Sequence, residues 1–298
     1  MMHVLVTGGT GFIGSALIPR LRGDGHEITV LSRGKHSHDN GIRYVQSLDE
    51  IADTATVDAV INLAGASLNG RRWTEAYKRE MVESRLETTG AVVGLCRRLA
   101  RPPSVLVSAS AIGYYGDRGE ETLDEQSSAG KGFSARLCRD WEAAAREAEA
   151  SGTRVCLARL GVVFDREGGA FTELSRPFRF GIANWPGGGR QYLSWVHRSD
   201  VVAAFAFLLQ RDELDGPVNI TAPAPLTHRE LCAALRRKLT TLPGMPVPGF
   251  VLRGLLGEVA DELLLAGQKV LPKRLEAAGF QFHYPDIDSA LRQLLGKP

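Results

Sequence analysis

The stretch VTGGTGFIGSAL, residues 6–17, decides the fold. Gly8, Gly11 and Gly14 stand three apart, after the β-branched run HVLVT (3–7) and at the opening of the helix-like segment FIGSALIPRLRG (12–23). In a strand–turn–helix setting the three glycines have different tasks. The first permits a tight turn, the second lets the backbone approach a pyrophosphate, and the third lets helix and strand pack closely. The helix N-terminus then offers free N–H groups and a partial positive charge to the phosphates. A ligand-free glycine turn is the plain alternative. The position between the first strand and the first helix points instead to a dinucleotide site built from Thr7, Gly8, Gly11, Phe12, Ile13 and Gly14.

Beyond this unit, apolar runs alternate with helical patterns. EITVL (27–31), VDAVINLAG (57–65), PSVLVSAS (103–110) and RVCLARLGVVF (154–164) are strand-like. Between them lie the long helical segment 74–100 and KGFSARLCRDWEAAAREAEASG (131–152). Continuously apolar strands separated by helices indicate a parallel sheet covered on both faces. The expected fold is α/β, a Rossmann-type doubly wound parallel sheet over residues 1–170 that gains further pieces from 195–220. Gly- and Pro-rich connectors (NWPGGGRQ, TAPAPL, TLPGMPVPG) then mark a smaller C-terminal α/β lobe over 171–298, for a substrate or a partner.

The end of the second strand selects the dinucleotide. An NAD site wants an acid about 20 residues beyond the glycines, to accept the ribose hydroxyls. Here the sequence reads LSRGK, with Ser32, Arg33 and Lys35 and no acid. A carboxylate would repel a 2′-phosphate, whereas Arg33 can grip one bidentately and Ser32 can donate to it. The expected cofactor is NADP, and a solvated basic turn is the alternative.

Composition narrows the rest. The chain has 298 residues, 44% hydrophobic and 23% charged, with net charge +2, so neither nucleic acid nor a membrane is an expected partner. No apolar run approaches the roughly 20 residues of a membrane span. Cys96, Cys138, Cys156 and Cys232 show no CxxC or Cys/His clustering, so no metal site is expected. With no signal-peptide pattern at the start, they read as reduced thiols of a cytoplasmic protein acting on a small molecule.

TGGTGFIG, NLAG and a serine-bearing strand together resemble the extended short-chain dehydrogenase/reductase superfamily. RRWTEAYKREMVESRLETT, SASAIGYYGD, FSARLCRDWE, ARLGVVF, GGGRQYLSWVH and GQKVLPKRLEAAGFQF narrow the resemblance to its atypical "epimerase family" subgroup, over residues 2 to 295. The subgroup's specific tail falls at 248–296. The resemblance implies NADP held by Ser32 and Arg33, by Leu63 and Ala64, by Glu80 and Arg85, and by Val163. It implies no known substrate.

The chain departs from the superfamily at the chemistry. Active members carry Tyr-x-x-x-Lys on the helix that here spans 131–152. Aligning Trp141-Glu142 with the end of that motif puts Ser134 at the Tyr position and Cys138 at the Lys position, and a register from Phe133 and Leu137 fits no better. A phenol transfers protons at neutral pH only if a nearby cation lowers its pKa from about 10, which a thiol cannot do. Candidate substitutes are Ser110, Tyr114, Tyr115 and Cys138, each weighed against plain packing. Arg85 lies in an apolar stripe and needs a partner, either the cofactor or an ion pair such as Glu80. His197 and a capping Ser199 read as structural, and Arg71, Arg72 and Lys78 as a solvated helix start or an entrance for an acidic substrate. Lys269, Lys273 and Arg274 read the same way. Two function classes follow: an NADP(H)-dependent oxidoreductase or epimerase-like enzyme, and a non-catalytic NADP(H)-binding regulatory protein.

Overall fold

Val4 and Val6 point to one side of the first strand and Leu5 to the other, and all three are fully buried. That is the signature of a strand covered on both faces, and it repeats across the sheet. A computed structural model describes residues 1–34, 41–68 and 71–296; Lys35 lies outside them. Seven parallel strands form the central sheet: β1 (His3–Thr7), β2 (Glu27–Leu31), β3 (Ile42–Val45), β4 (Ala59–Asn62), β5 (Val105–Ala111), β6 (Arg154–Leu160) and β7 (Gly216–Ile220). Their order is β7-β6-β5-β4-β1-β2-β3. The order reverses between β1 and β4, and the crevice beyond the C-terminal ends of these strands is where such sheets bind ligands.

Helices α1 (Gly14–Gly23), α2 (Glu75–Arg98), α3 (Phe133–Arg146), α4 (Ala170–Arg179) and α5 (Arg198–Leu209) follow in chain order. Leu17, Ile18 and Leu21 of α1 and Val201, Phe205 and Leu208 of α5 join one core. Val92, Val93 and Leu95 of α2 and Ala145 of α3 join the other. The run 154–164 breaks at Gly161, where a Cβ would lie 2.7 Å from the Ser194 carbonyl. Val162–Phe164 then leaves the sheet and pairs in parallel with Trp195–His197. β3 was not among the strand-like runs, because as a half-exposed edge strand it lacks the continuous apolar pattern.

The rest of the chain supplies α6 (His228–Lys238), α7 (Gly249–Leu256), a π-helical turn (Ala260–Leu265), α8 (Lys273–Ala277) and α9 (Ile287–Leu294). Phe164, Phe171, Trp195, Leu231, Leu235 and Leu291 form a core shared by α4, α6 and α9, while Leu275 of α8 joins the core of α1 and α5. Several basic residues read from sequence as solvated are tethers. Lys78 Nζ bonds Glu258 at 2.8 Å, Arg72 donates to the Gly254 carbonyl at 3.4 Å, and Arg274 donates to the Pro217 carbonyl at 2.9 Å. The cap of α5 is also reassigned: His197 Nδ1, not Ser199, accepts from the helix, at the Ser199 N–H (3.2 Å). Burial pushes the His197 pKa down, which keeps the ring neutral and able to accept. No helix among the described residues is long and apolar enough to cross a membrane.

The third glycine of the loop is the tightest point. A Cβ at Gly14 would sit 2.4 Å from the Gly8 carbonyl oxygen and 2.6 Å from Gly9 Cα. Gly14→Ala should therefore cost about 1–3 kcal/mol by overpacking. Gly90→Ala on the exposed side of α2, where a Cβ meets nothing within 4 Å, should stabilise by about 0.5–1 kcal/mol. Chemical denaturation of both variants checks the contrast; a neutral Gly14→Ala would show that the loop does not need its close approach.

Candidate functional site

Gly8 adopts φ +68°, and a Cβ there would stand 2.8 Å from the Leu63 carbonyl carbon and 2.9 Å from the Ala64 nitrogen. The glycine loop thus lies against the chain as it leaves β4, which brings Gly8, Leu63 and Ala64 together. Behind them, the buried Thr7 hydroxyl donates to Asn62 Oδ1 (2.6 Å) and accepts from the Ala64 N–H (3.2 Å). The Thr7 side chain therefore shapes the loop from behind. Gly11 would meet only the Gly8 carbonyl, so its other side is open. Among the described residues no side chain caps α1, which leaves the N–H groups beyond Phe12 and Ile13 available to an anion.

Phe12 is held from outside the loop. A Cβ at Gly169 would lie 2.9 Å from the Phe12 ring and 2.9 Å from the Val163 carbonyl, so this turn brings Val163 beside the glycine loop. The Arg198 guanidinium lies 4.7 Å from the Phe12 ring centre and donates to Ser15 Oγ at 2.8 Å. Arg198 and the Gly168–Gly169 pair escaped the sequence reading. Two adjacent glycines after a strand were the available signal.

Ser32 and Arg33 leave the C-terminal end of β2. Ser32 is buried and its N–H bonds the Val45 carbonyl, while its Oγ accepts from the Gly34 N–H at 3.3 Å. Arg33 is exposed, and Gln46 Nε2 donates to its carbonyl at 3.4 Å.

Arg85 is buried on α2. Its Nη1 donates to the Met81 carbonyl (3.0 Å), its guanidinium lies 5.0 Å from the Trp141 ring centre, and a Cβ at Gly65 would touch it at 2.9 Å. Among the described residues no carboxylate lies within ion-pair distance of it. Burial pushes its pKa down, the cost of a cation held without an anion. Glu80 is not its partner: Glu80 is exposed and faces Arg71 at 3.7 Å. An unpaired buried guanidinium beside the loop that follows β4, an uncapped helix N-terminus and an exposed arginine after β2 together fit a phosphorylated dinucleotide.

The catalytic candidates converge on a network that sequence did not show. Ser110 Oγ donates to Glu142 Oε1 at 2.6 Å. Both Glu142 oxygens accept from Arg159, each at 2.8 Å, and all three residues are buried. Arg159 Nη1 then donates to the Tyr115 oxygen (3.0 Å), whose own proton goes to Asn219 Oδ1 (2.7 Å). Tyr115 is fully buried, and burial pushes its pKa up to about 12. Ser110 and Tyr115 thus both direct their protons into this network. Tyr114 is half-buried with Arg159 3.4 Å from its ring centre. Cys138 packs under this network, and burial with the nearby Glu142 raises its thiol to about 11. Burial and a raised pKa are the properties of a packed thiol. Glu142 on the buried face of an amphipathic helix and Arg159 within an apolar strand were each a signal for the other.

The same side of the crevice is walled in. Trp73, Tyr77 and Met81 pack with Phe133 of α3 and with Val259 and Leu263 of the C-terminal lobe. Glu262 accepts from the Phe133 and Ser134 N–H groups (3.0 and 3.2 Å), so the lobe supplies the cap of α3.

Buried thiols predict an alkaline weakness. Cys96, Cys138 and Cys156 are each raised to about 11, so above pH 9 the unfolded chain ionises thiols that the folded chain keeps neutral. The unfolded state then binds fewer protons, and stability falls as pH rises between about 9 and 11. Urea midpoints across that range should decline, less steeply in Cys138→Ala. Native protein should resist iodoacetamide at Cys138 at neutral pH; rapid labelling there would overturn the packing assignment.

Known proteins place the chain. Residues 4–221 match the NAD dependent epimerase/dehydratase family, and residues 247–294 match a domain of unknown function, DUF1731. The chain is 39% identical over 297 residues to epimerase family protein Mb2239 of Mycobacterium bovis, covering 99% of this chain and 98% of that one. It is 38% identical over 304 residues to the chloroplastic SDR39U1 homolog of Arabidopsis thaliana, covering 99% and 87%. The crystal structure of human epimerase family protein SDR39U1 (isoform 2) with NADPH superposes with a TM-score of 0.88 at 34% identity, over 100% of both chains. With its Rossmann sheet, its glycine loop and its altered catalytic helix, the chain belongs to the NAD dependent epimerase/dehydratase family, as an atypical short-chain dehydrogenase/reductase of the SDR39U1-like epimerase group.

Proposed function

We propose that this protein binds NADP(H) and acts through the bound state itself, as a regulatory protein, and not through the Tyr/Lys proton relay of its superfamily. The observation that carries the reading is Arg85: buried, cationic, without an acid partner among the described residues, and set against Gly65 in the loop after β4. A guanidinium is desolvated this far only where an anionic or strongly polar group completes it. Arg33 and Ser32, with no acid beside them in the sequence, supply the preference for a 2′-phosphate. NADPH in the human relative's crystal structure supports the same cofactor here.

The fate of the proton donors supports the non-catalytic half of the reading. In neither register of α3 do the superfamily's Tyr and Lys positions hold a Tyr or a Lys: they hold Ser134 and Cys138, or Phe133 and Leu137. Ser110 gives its proton to Glu142, and Tyr115 gives its own to Asn219. Bound cofactor would supply hydride chemistry, but these side chains offer it no proton. Lobe residues Val259, Leu263 and Glu262 reach the start of α3, so this lobe is placed to register what the crevice holds. Four buried free thiols fit a cytoplasmic setting. The enzyme reading retains one supporting observation: Tyr114 has the Arg159 cation against its ring, next to the strand end where a substrate would lie.

Calorimetric titration should give NADPH an affinity about 10–100-fold above that of NADH, as expected for a charge-assisted contact, with most of the preference lost in Arg33→Asp. Equal affinities in the wild type would remove the assignment of Arg33.

Arg85→Met separates a cofactor contact from a structural one. The substitution relieves a buried, unpaired charge at similar volume, so the apo protein should melt at or above the wild-type temperature. The NADPH-induced rise in melting should largely vanish, because binding weakens by about 1.5–3 kcal/mol. A fall in apo stability with the NADPH shift preserved would make Arg85 structural. Hydride exchange from labelled NADPH into candidate carbonyl substrates, abolished in Tyr114→Phe, would favour the enzyme.

A further inference from the structure

Among the described residues, the large apolar side chains left exposed all fall on the C-terminal lobe, apart from Met1. They are Phe180, Ile182, Leu242, Met245, Phe250 and Leu255. They sit on adjoining backbone. Leu242 N–H donates to the Gly181 carbonyl (2.9 Å) and Met245 N–H to the Ala183 carbonyl (3.1 Å). Met245–Val247 pairs in parallel with Asn184–Pro186, and Pro248 leads that strand directly into α7. α7 reads GFVLRGLL and buries none of its residues. Phe180 and Phe250 stand 75% and 74% exposed. Single exposed hydrophobes are ordinary, but six on adjoining segments of one lobe mark a binding surface.

The charges around this face decide what it binds. Arg176 is balanced by Glu173, Arg237 by Asp288 and Arg253 by Asp261. Arg179, next to Phe180, and Arg236, in the last turn of α6 ahead of Leu242, are exposed and have no acid within ion-pair distance among the described residues. The face is therefore apolar with a surplus of positive charge. A second copy related by a two-fold axis would bring that surplus against itself. Averaging charge over the whole chain, at +2, hides this local feature and is why sequence composition argued against a membrane partner.

We infer that this face docks on the surface of an anionic phospholipid bilayer. Phe180 and Phe250 enter the boundary between headgroups and acyl chains, and Arg179 and Arg236 meet lipid phosphates. Contact is peripheral, since α7 has eight residues and no described helix can span. The docking face involves none of the residues assigned to NADP(H), so it stands or falls apart from that reading.

Sedimentation of the full-length protein with vesicles tests it. Phosphatidylcholine vesicles carrying about one-third phosphatidylserine should retain at least about tenfold more protein than pure phosphatidylcholine, and added salt should weaken retention. Phe180→Ser/Phe250→Ser and, separately, Arg179→Glu/Arg236→Glu should each lower retention about tenfold while leaving melting temperature and the NADPH-induced shift unchanged. The proposal is overturned if the wild type stays in the supernatant with anionic vesicles, or if neither double variant reduces retention. It is equally overturned if light scattering shows a dimer that Phe180→Ser/Phe250→Ser dissociates, because the face is then occupied by a second copy.

Discussion

The buried Glu142–Arg159 pair fixes the half of the molecule that the superfamily devotes to chemistry. A carboxylate and a guanidinium with almost no solvent contact are tolerable only if every remaining lone pair and proton finds a partner. Here Ser110, Tyr115 and then Asn219 supply them, so β5, α3, β6, the turn after β5 and β7 are tied into one polar chain. Glu125 extends it by accepting from the Asn219 N–H (3.0 Å) and the Arg274 N–H at the start of α8 (3.2 Å). Burial pushes the Glu125 pKa up, which marks how little water reaches this end of the network. The hydroxyl protons of Ser110 and Tyr115 are both directed into this chain.

The nucleotide half obeys a different constraint, set by backbone and not by side chains. Gly8 can lie against Leu63–Ala64, and Gly14 against Gly8, only because neither has a Cβ. Thr7 and Asn62 hold that approach from below, Phe12 and Arg198 from above. The two halves meet along α2 and α3, where Thr89 accepts from both Asn62 Nδ2 (2.9 Å) and Trp141 Nε1 (3.0 Å). One hydroxyl therefore links the strand under the glycine loop to the helix that carries Cys138. Arg85 lies over the same Trp141 ring, so a ligand drawing on Arg85 acts directly on the α2–α3 contact.

How much of this was legible follows from the range of each interaction. The glycine loop, the first helix and the buried face of α3 are local patterns. Ser134, Cys138, Trp141, Ala145 and Ala148 fall three or four apart on one helix face; the last four are buried and Ser134 is half-buried. β3 was not legible, since an edge strand with alternating burial carries a weak signal. The position of Ser110 at a strand end was readable; the direction of its proton was not, because that depends on a carboxylate 32 residues away. Arg198 reaches Ser15 across 183 residues, and Glu262 reaches the start of α3 across 128 or more, so both contacts belong to tertiary structure alone. The capping histidine was missed for another reason. Ser and Thr are the usual caps, but at His197 an imidazole kept neutral by burial accepts the same N–H.

The loss of Tyr and Lys from α3 is then more than a change of two side chains. Gly113, in the turn after β5, lies so close to α3 that a Cβ there would stand 3.0 Å from Ser134 Cβ and 3.8 Å from Cys138 Sγ. The turn comes this near to α3 because position 113 has no Cβ. The turn cannot simply retreat, because it carries Tyr115, which is fully buried and bonded to Arg159 and Asn219. Small residues on α3, a glycine opposite them and a tyrosine locked into the ion-pair network form one self-consistent packing solution. A larger residue at 113 would push this turn off α3 and strain the network, so the close approach depends on the residues of both elements.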